Sequence, residues 1–303
     1  MLTIVYGDLL MSPARVLVNP VNTVGTMAGE LGEDLRQVYP AMFAEYQRLC
    51  EVDQLNIGQV MLYRTPHKWI LNLPVKRHYR ASIRLDAVES GLRRIATLYA
   101  EQHFTSISLP VPELCDSPSD QPALMGLLRS YLGTLPIMVY AHLPAEPPLQ
   151  EARHNITTLA RWLHGTPQHV SFETFWRGIA SIVRRHPEMT TLEDGQPFAV
   201  TFRRDENNPR LMSLKLIRNE QTTFIPQTLL RDLWQYVLLA GYAHPRHLPG
   251  GLDEVGEMIV TLLSKLSYMR PVRLQPSDQA VAVGLHYIPP VMREPLPLAA
   301  SLD

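Results

Sequence analysis

Cysteine is nearly absent from this chain: there are two in 303 residues, Cys50 and Cys115, far apart and in no CxxC pair. That argues against a disulfide-stapled secreted fold and against a cysteine-built zinc site, so a reducing compartment, the cytoplasm, is expected. No run of about 18 apolar residues occurs. The opening segment MLTIVYGDLLMSPARV also lacks a charged start followed by an apolar stretch, so neither a membrane span nor a standard export signal is expected. An excess of charge of one sign is missing as well, with 28 Lys+Arg against 29 Asp+Glu. No global field draws the molecule to nucleic acid or to an anionic membrane, and any nucleic-acid contact must come from a local patch.

What is present describes a globular protein, 46% hydrophobic and 19% charged, whose length favours two domains. Short β-branched runs at 2–6 and 16–21 read as buried strands. Helix formers over 30–50 are broken by Pro40, which predicts one helix ending near Val38 and another resuming at Ala41. Runs at 58–63 and 68–73 read as a strand pair. Leu85, Val88, Leu92, Ile95 and Tyr99 recur at helical spacing, the stripe of a helix lying on a sheet. A strand at 105–111, a helix near 122–132 and a strand at 136–142 complete an alternating α/β pattern, whose ligands sit at the carboxyl ends of the strands. The Pro-rich segment 143–153 reads as a linker between domain 1–145 and domain 155–303. The second domain reads as smaller and α+β: helices at 155–164 and 172–186, a hairpin of 197–204 and 210–218 joined across DENNP, apolar helix faces at 229–237 and 255–266, and a Pro-rich tail.

The residues with chemistry lie mostly in the first half. Tyr6-Gly7-Asp8-Leu9 closes the first strand, Val18-Asn19-Pro20-Val21-Asn22 ends the second, and a Gly-bearing stretch with Gly25, Met27, Gly29 and Gly32 leads into a helix. Such glycines let backbone amides approach a diphosphate, aided by the helix N-terminus. A run Leu71-Asn72-Leu73-Pro74-Val75-Lys76-Arg77-His78-Tyr79-Arg80 follows. Together these segments resemble the macrodomain family, closest to the DarG-type DNA ADP-ribosyl glycohydrolase antitoxins, whose block reads N-[FL]-P-T-K-x-H-[WY]-R. The resemblance implies a three-layer α/β fold with a mixed sheet. It implies ADP-ribose or a related nucleotide as ligand, ADP-ribosylated DNA as the substrate class, and no cofactor or metal. By position, Asp8 would meet adenine, Asn22 the distal ribose, and Gly25, Gly29 and Gly32 the diphosphate, with Leu9, Asn19 and Met27 as further candidate ligand contacts. Lys76 would be the catalytic residue, with His78 and Arg80 beside it. Arg77, His78 and Arg80 crowd positive charge around Lys76, which favours a free, nucleophilic amine. The same cluster serves equally well as a phosphate contact.

Two departures from the pattern stand out. Ala28-Gly29-Glu30 replaces the G-K-G of the family, and the second phosphate loop, Pro110 to Asp120, contains no glycine. Cys115 and Asp116 in that loop are candidate ligand contacts, against the plain alternatives of a small buried thiol and an exposed acid. In the second half, His244-Pro245-Arg246-His247 has an H-x-x-H spacing without further ligands, and no metal site is expected there. Arg203, Arg204, Arg210, Lys215 and Arg218 form either a local nucleic-acid or partner patch or a charged, self-protecting edge. Three functions remain open at this level: a hydrolase acting on ADP-ribosylated nucleic acid, a catalytically inactive sensor acting through a partner protein and the second domain, and a scaffold with an unused pocket.

Overall fold

A computed structural model describes residues 2–149, 154–204, 212–277 and 279–292. They form two compact units, the first holding the described residues up to 145, 154–167 and 291–292, the second 146–149 and the described residues of 168–290. No helix among the described residues is long and apolar enough to cross a membrane.

In the first unit the β-branched runs become strands β1 (Leu2–Tyr6) and β2 (Val16–Asn22), followed by helices α1 (Glu30–Val38) and α2 (Pro40–Glu51), split at Pro40. Strands β3 (Met61–Arg64) and β4 (Trp69–Lys76), helix α3 (Leu85–Glu101), β5 (Ser106–Pro110), α4 (Gln121–Tyr131) and β6 (Met138–Leu143) complete the alternation. The strands lie in the order β1-β6-β5-β2-β4-β3, all parallel except β3, which runs antiparallel to β4. This is the mixed α/β sheet expected of a macrodomain, and both of its faces are buried.

The two faces differ in chemistry. Val16, Val18, Leu71, Leu73, Ile107, Leu109 and Val139 form one apolar core with Val88, Leu92, Ile95 of α3 and Leu124, Leu128 of α4. The alternate positions bury a polar row instead: Asn19, Asn72, Ser108 and His142 are all under 4% exposed. Ser108 pairs with Ser12 (2.6 Å), and His142 Nδ1 lies 3.1 Å from Gly7 O. Just before β4, the buried Lys68 donates to Ser12 O (2.6 Å) and Ala14 O (2.7 Å), beneath the Trp162 ring.

Trp162 belongs to α5 (Ile156–His164), whose start is capped by Asn155 Oδ1 accepting from Thr158 N at 2.9 Å. Tyr39 Oη donates to Leu163 O, and His164 Nε2 lies 2.9 Å from Val38 O. These bonds hold α5 on α1, so the first unit extends past the boundary drawn at 145 and 155. Strand β7 (Thr166–Pro167) follows, and the chain comes back to pair β15 (Val291–Met292) antiparallel with it.

The second unit is α+β. Helix α6 (Phe172–Arg185) precedes a four-stranded antiparallel sheet of β8 (Glu188–Thr190), β9 (Pro197–Arg204), β10 (Met212–Arg218) and β11 (Gln221–Pro226), in the order β11-β10-β9-β8. Helix α7 (Gln227–Ala240), β12 (Tyr242–Ala243), α8 (Gly256–Leu263), β13 (Met269–Pro276) and β14 (Ala282–Tyr287) follow, with β14 antiparallel to both β12 and β13. Phe175 stacked on Trp234 at 4.4 Å anchors its core. The β9–β10 pairing is the expected hairpin, while β11 adds a strand that the sequence reading does not contain. The linker residues 150–153, the DENNP turn with Arg210, and the Pro-rich tail from 293 lie outside the described residues.

Candidate functional site

Five parallel strands end side by side, and the loops leaving them define a surface across the carboxyl edge of the sheet. Asp8 follows β1, and Lys76 is the last residue of β4. Four strand spacings separate these two ends, roughly 19 Å at about 4.8 Å each. At the first end, Asp8 caps the 3-10 turn Leu9–Met11, its Oδ1 accepting from Leu10 N at 2.8 Å, and Leu9 is buried beneath it.

Asn22 organises the next loop. Its Oδ1 accepts from Val24 N (3.1 Å), Thr26 N (3.3 Å) and Tyr46 Oη (3.2 Å), and its Nδ2 donates to Thr26 O and Thr26 Oγ1. Tyr46 Oη also donates to Asn22 O at 2.7 Å. The loop is thus cinched from within, and its shape depends on Gly25 at φ +81°, a left-handed conformation that glycine adopts without strain. Gly29, at φ +87° with open space around it, leads into the N-terminus of α1. Asn19 is buried, its Nδ2 donating to Asn72 Oδ1 at 2.7 Å and contacting Met27 Sδ at 3.8 Å; Met27 is itself buried. In this structure Asn19, Asn22 and Met27 therefore build the loop's floor and frame.

Lys76 stands beside that frame. It pairs with Asn22 across an irregularity in the β2–β4 ladder, and its carbonyl accepts from Thr23 N at 3.2 Å. Its side chain is half-buried and makes no hydrogen bond or ion pair among the described residues. His78, Tyr79 and Arg80 form a separate exposed turn: the His78 and Tyr79 rings lie 4.2 Å apart, the Arg80 guanidinium sits 5.3 Å from the Tyr79 ring, and Arg80 N donates to His78 Nδ1.

The glycine-free loop after β5 folds as two 3-10 turns, Pro112–Leu114 and Pro118–Asp120. Cys115 is buried, and its thiol pKa is pushed up by burial first and then by Asp120, Asp116 and Glu113. Asp116 Oδ2 accepts from Ile83 N at 2.6 Å, tying this loop to the start of α3. The Glu113 carboxyl is also raised, by desolvation first and then by Glu30 in the first turn of α1. An acid of this loop thus approaches the first turn of α1.

One pocket of about 390 Å³ opens next to Lys76, lined by Thr23, Asp53, Asn56, Ile57 and Arg77. Sequence reading did not reach Thr23, Asp53, Asn56 or Ile57, nor Tyr46 and Asn72 as supports, because they come from segments that meet only in the fold. Among the described residues no three His, Cys, Asp or Glu side chains are grouped to hold a metal. His244 and His247 of the H-x-x-H segment have rings 5.4 Å apart, with His244 Nδ1 accepting from Arg246 N.

Parts of the chain match known proteins. The Macro domain family model matches residues 18–111. A DNA ADP-ribosyl glycohydrolase of Thermus aquaticus is 37% identical over 114 residues, a match covering 36% of this chain and 32% of that protein. The matched stretch therefore spans about a third of the curated relative. Among solved structures, the macrodomain of Thermus aquaticus DarG is 32% identical with a TM-score of 0.45, covering 48% of this chain and 99% of that one. Thermosipho africanus DarTG in complex with ADP-ribose is 29% identical with a TM-score of 0.44, covering 52% of this chain and 44% of that one.

Proposed function

From a macro domain spanning residues 18–111, we propose that the first unit binds ADP-ribose along the carboxyl edge of its sheet and removes the ADP-ribosyl group from a nucleic-acid base. The observation that supports this most is the position of Lys76, one strand from the Asn22 loop and without a partner among the described residues. Asp8 lies at the adenine end, the Gly25–Gly29 loop and the N-terminus of α1 face the diphosphate, and the distal ribose lies before Lys76. The Lys76 amine attacks the ribosyl anomeric carbon as the carbon–nitrogen bond to the base breaks. The bonding electrons stay on the base nitrogen, which takes a proton from solvent. Water then displaces the amine, giving free ADP-ribose and unmodified lysine. Such an enzyme acts as an antitoxin or in phage defence, in a reducing cytoplasm that suits two free thiols.

Release of ADP-ribose from an ADP-ribosylated single-stranded oligonucleotide tests this. Lys76→Ala should cut the rate by roughly 10²-fold or more with ADP-ribose affinity retained. Lys76→Arg separates the two roles of the lysine, because it keeps a phosphate contact but not a nucleophilic amine. Full activity in Lys76→Arg or Lys76→Ala removes the nucleophile. A second reading has its own support: the loop around Cys115 and Asp116 offers no glycine amides and adds acids. On that reading the domain is an inactive sensor of an NAD-derived nucleotide, acting through a partner protein on the second unit, and calorimetry would find binding without release.

A further inference from the structure

The sheet order runs from β1, where Asp8 stands, through β6, β5 and β2 to β4 with Lys76, and then to β3. On the proposed reading the ADP-ribose occupies the span from Asp8 to Lys76. The base that carries it, bonded to the far side of the anomeric carbon, must leave toward β3. The pocket of Thr23, Asp53, Asn56, Ile57 and Arg77 opens on that side, since Arg77 follows Lys76 directly and residues 53–57 lie in the loop from α2 to β3.

Its lining has a definite polarity. Asn56 Nδ2 is used on Asp53 O (3.1 Å) and Thr23 Oγ1 donates to Arg77 O (3.1 Å). These bonds leave mostly acceptors on the side chains, the Asp53 carboxylate, Asn56 Oδ1 and the lone pairs of Thr23 Oγ1, beside the second N–H of Asn56 Nδ2. The charged donor is the exposed Arg77 guanidinium, which forms no ion pair among the described residues. Acceptors suit the exocyclic amines and ring N–H of a base edge, and a guanidinium suits a phosphate. A second observation converges on the same place. In the first unit, Val24 (50%), Val52 (52%) and Tyr79 (40%) are the large hydrophobic side chains exposed among the described residues. Each lies within two residues of a lining position. Tyr79 offers an aromatic ring on which an unpaired base can stack, and Val24 and Val52 add exposed apolar surface. A volume of about 390 Å³ fits a site for one small ligand unit.

We propose that this pocket is a nucleotide subsite, which takes the neighbour of the ADP-ribosylated nucleotide on single-stranded DNA, its phosphate on Arg77 and its base edge against Asp53, Asn56 and Thr23. The subsite selects a splayed, unpaired strand because its acceptors read a base edge that a duplex conceals. It rests on the proposed ADP-ribose reading and adds the strand to it.

The test uses the full chain with Lys76→Ala throughout, so that the substrate persists, and fluorescence anisotropy with a labelled single-stranded oligonucleotide carrying one ADP-ribosyl group. Adding Arg77→Glu should weaken oligonucleotide binding about 10-fold, and should lower the slope of log affinity against log salt by about 0.7, the share of one single-strand phosphate. The affinity for free ADP-ribose, measured by calorimetry, should fall less than the affinity for the oligonucleotide, the difference being the share of the strand. Arg77→Lys should restore the slope. Unchanged oligonucleotide affinity and slope in Arg77→Glu overturn the subsite while leaving the ADP-ribose reading intact. Absence of binding to both ADP-ribose and the oligonucleotide overturns the reading itself, and the subsite with it.

Discussion

Lys68 offers the sharpest physical test of the first unit. Its side chain is 6% exposed, and its amine donates to Ser12 O and Ala14 O. Burial, reinforced by Arg15, brings its pKa from 10.5 down to about 7. A neutral amine retains two N–H donors, enough for both carbonyls, so the folded state tolerates deprotonation where the third proton has no acceptor. Between about pH 7 and 10.5 the unfolded chain then binds one more proton than the folded chain, and stability rises with pH. The full window is worth about 5 kcal/mol, and the rise from pH 7 to 8.5 about 1.6 kcal/mol. Lys68→Met removes the titration and leaves both carbonyls unpaired, at about 1–3 kcal/mol each. The expected result is therefore a variant that falls further behind the native protein as pH rises. Urea unfolding followed by hydrogen exchange of the β2 and β4 peptides reads the first unit alone. Cys50 and Cys115, whose thiols burial pushes up, are common to both proteins and drop out of the difference. A native-minus-variant stability that is flat from pH 7 to 8.5 would mean the folded amine titrates normally, and the burial argument would be wrong.

Two further predictions concern the same sheet face and the Asn22 loop. His142 is fully buried and held near pKa 4, by desolvation first, below its ordinary 6.5, so its folded form stays neutral. Stability is full above about pH 6.5 and falls as pH drops toward 4, by about 3 kcal/mol, and His142→Gln should flatten acid unfolding over that window. Tyr46→Phe deletes the hydroxyl that donates to Asn22 O, leaving a buried carbonyl short of a donor. A loss of about 1–3 kcal/mol is expected, with faster amide exchange at Val24 and Thr26; native exchange rates there would show that Tyr46 does not hold the loop.

How far the sequence was readable depended on the range over which each feature is set. The break between α1 and α2 follows from Pro40 alone, because its ring cannot continue the first helix. The α3 stripe and the strands follow from periodicity, which is local, and the run from Asn72 to Arg80 was legible as a contiguous block. The polar row was not, since Asn19 and Asn72 are 53 residues apart and Ser12 and Ser108 are 96 apart. Each reads singly as an interruption in an apolar strand.

Sequence by itself determined the kind of fold in the first half and which residues end or follow its strands at the carboxyl edge: Asp8, the Gly25–Gly29 loop and Lys76. Backbone preferences, turn chemistry and contiguous motifs act over a few residues, and a single chain displays them directly. Tertiary structure decided how those residues are used. It spent Asn19 and Asn22 inside the loop frame, tied Asp116 to Ile83, held α5 on α1 with Trp162 over Lys68, and gathered Thr23, residues 53–57 and Arg77 into one pocket. A hydrogen bond or a cavity wall needs partners brought together from distant positions, and only the packed sheet and helices supply that proximity.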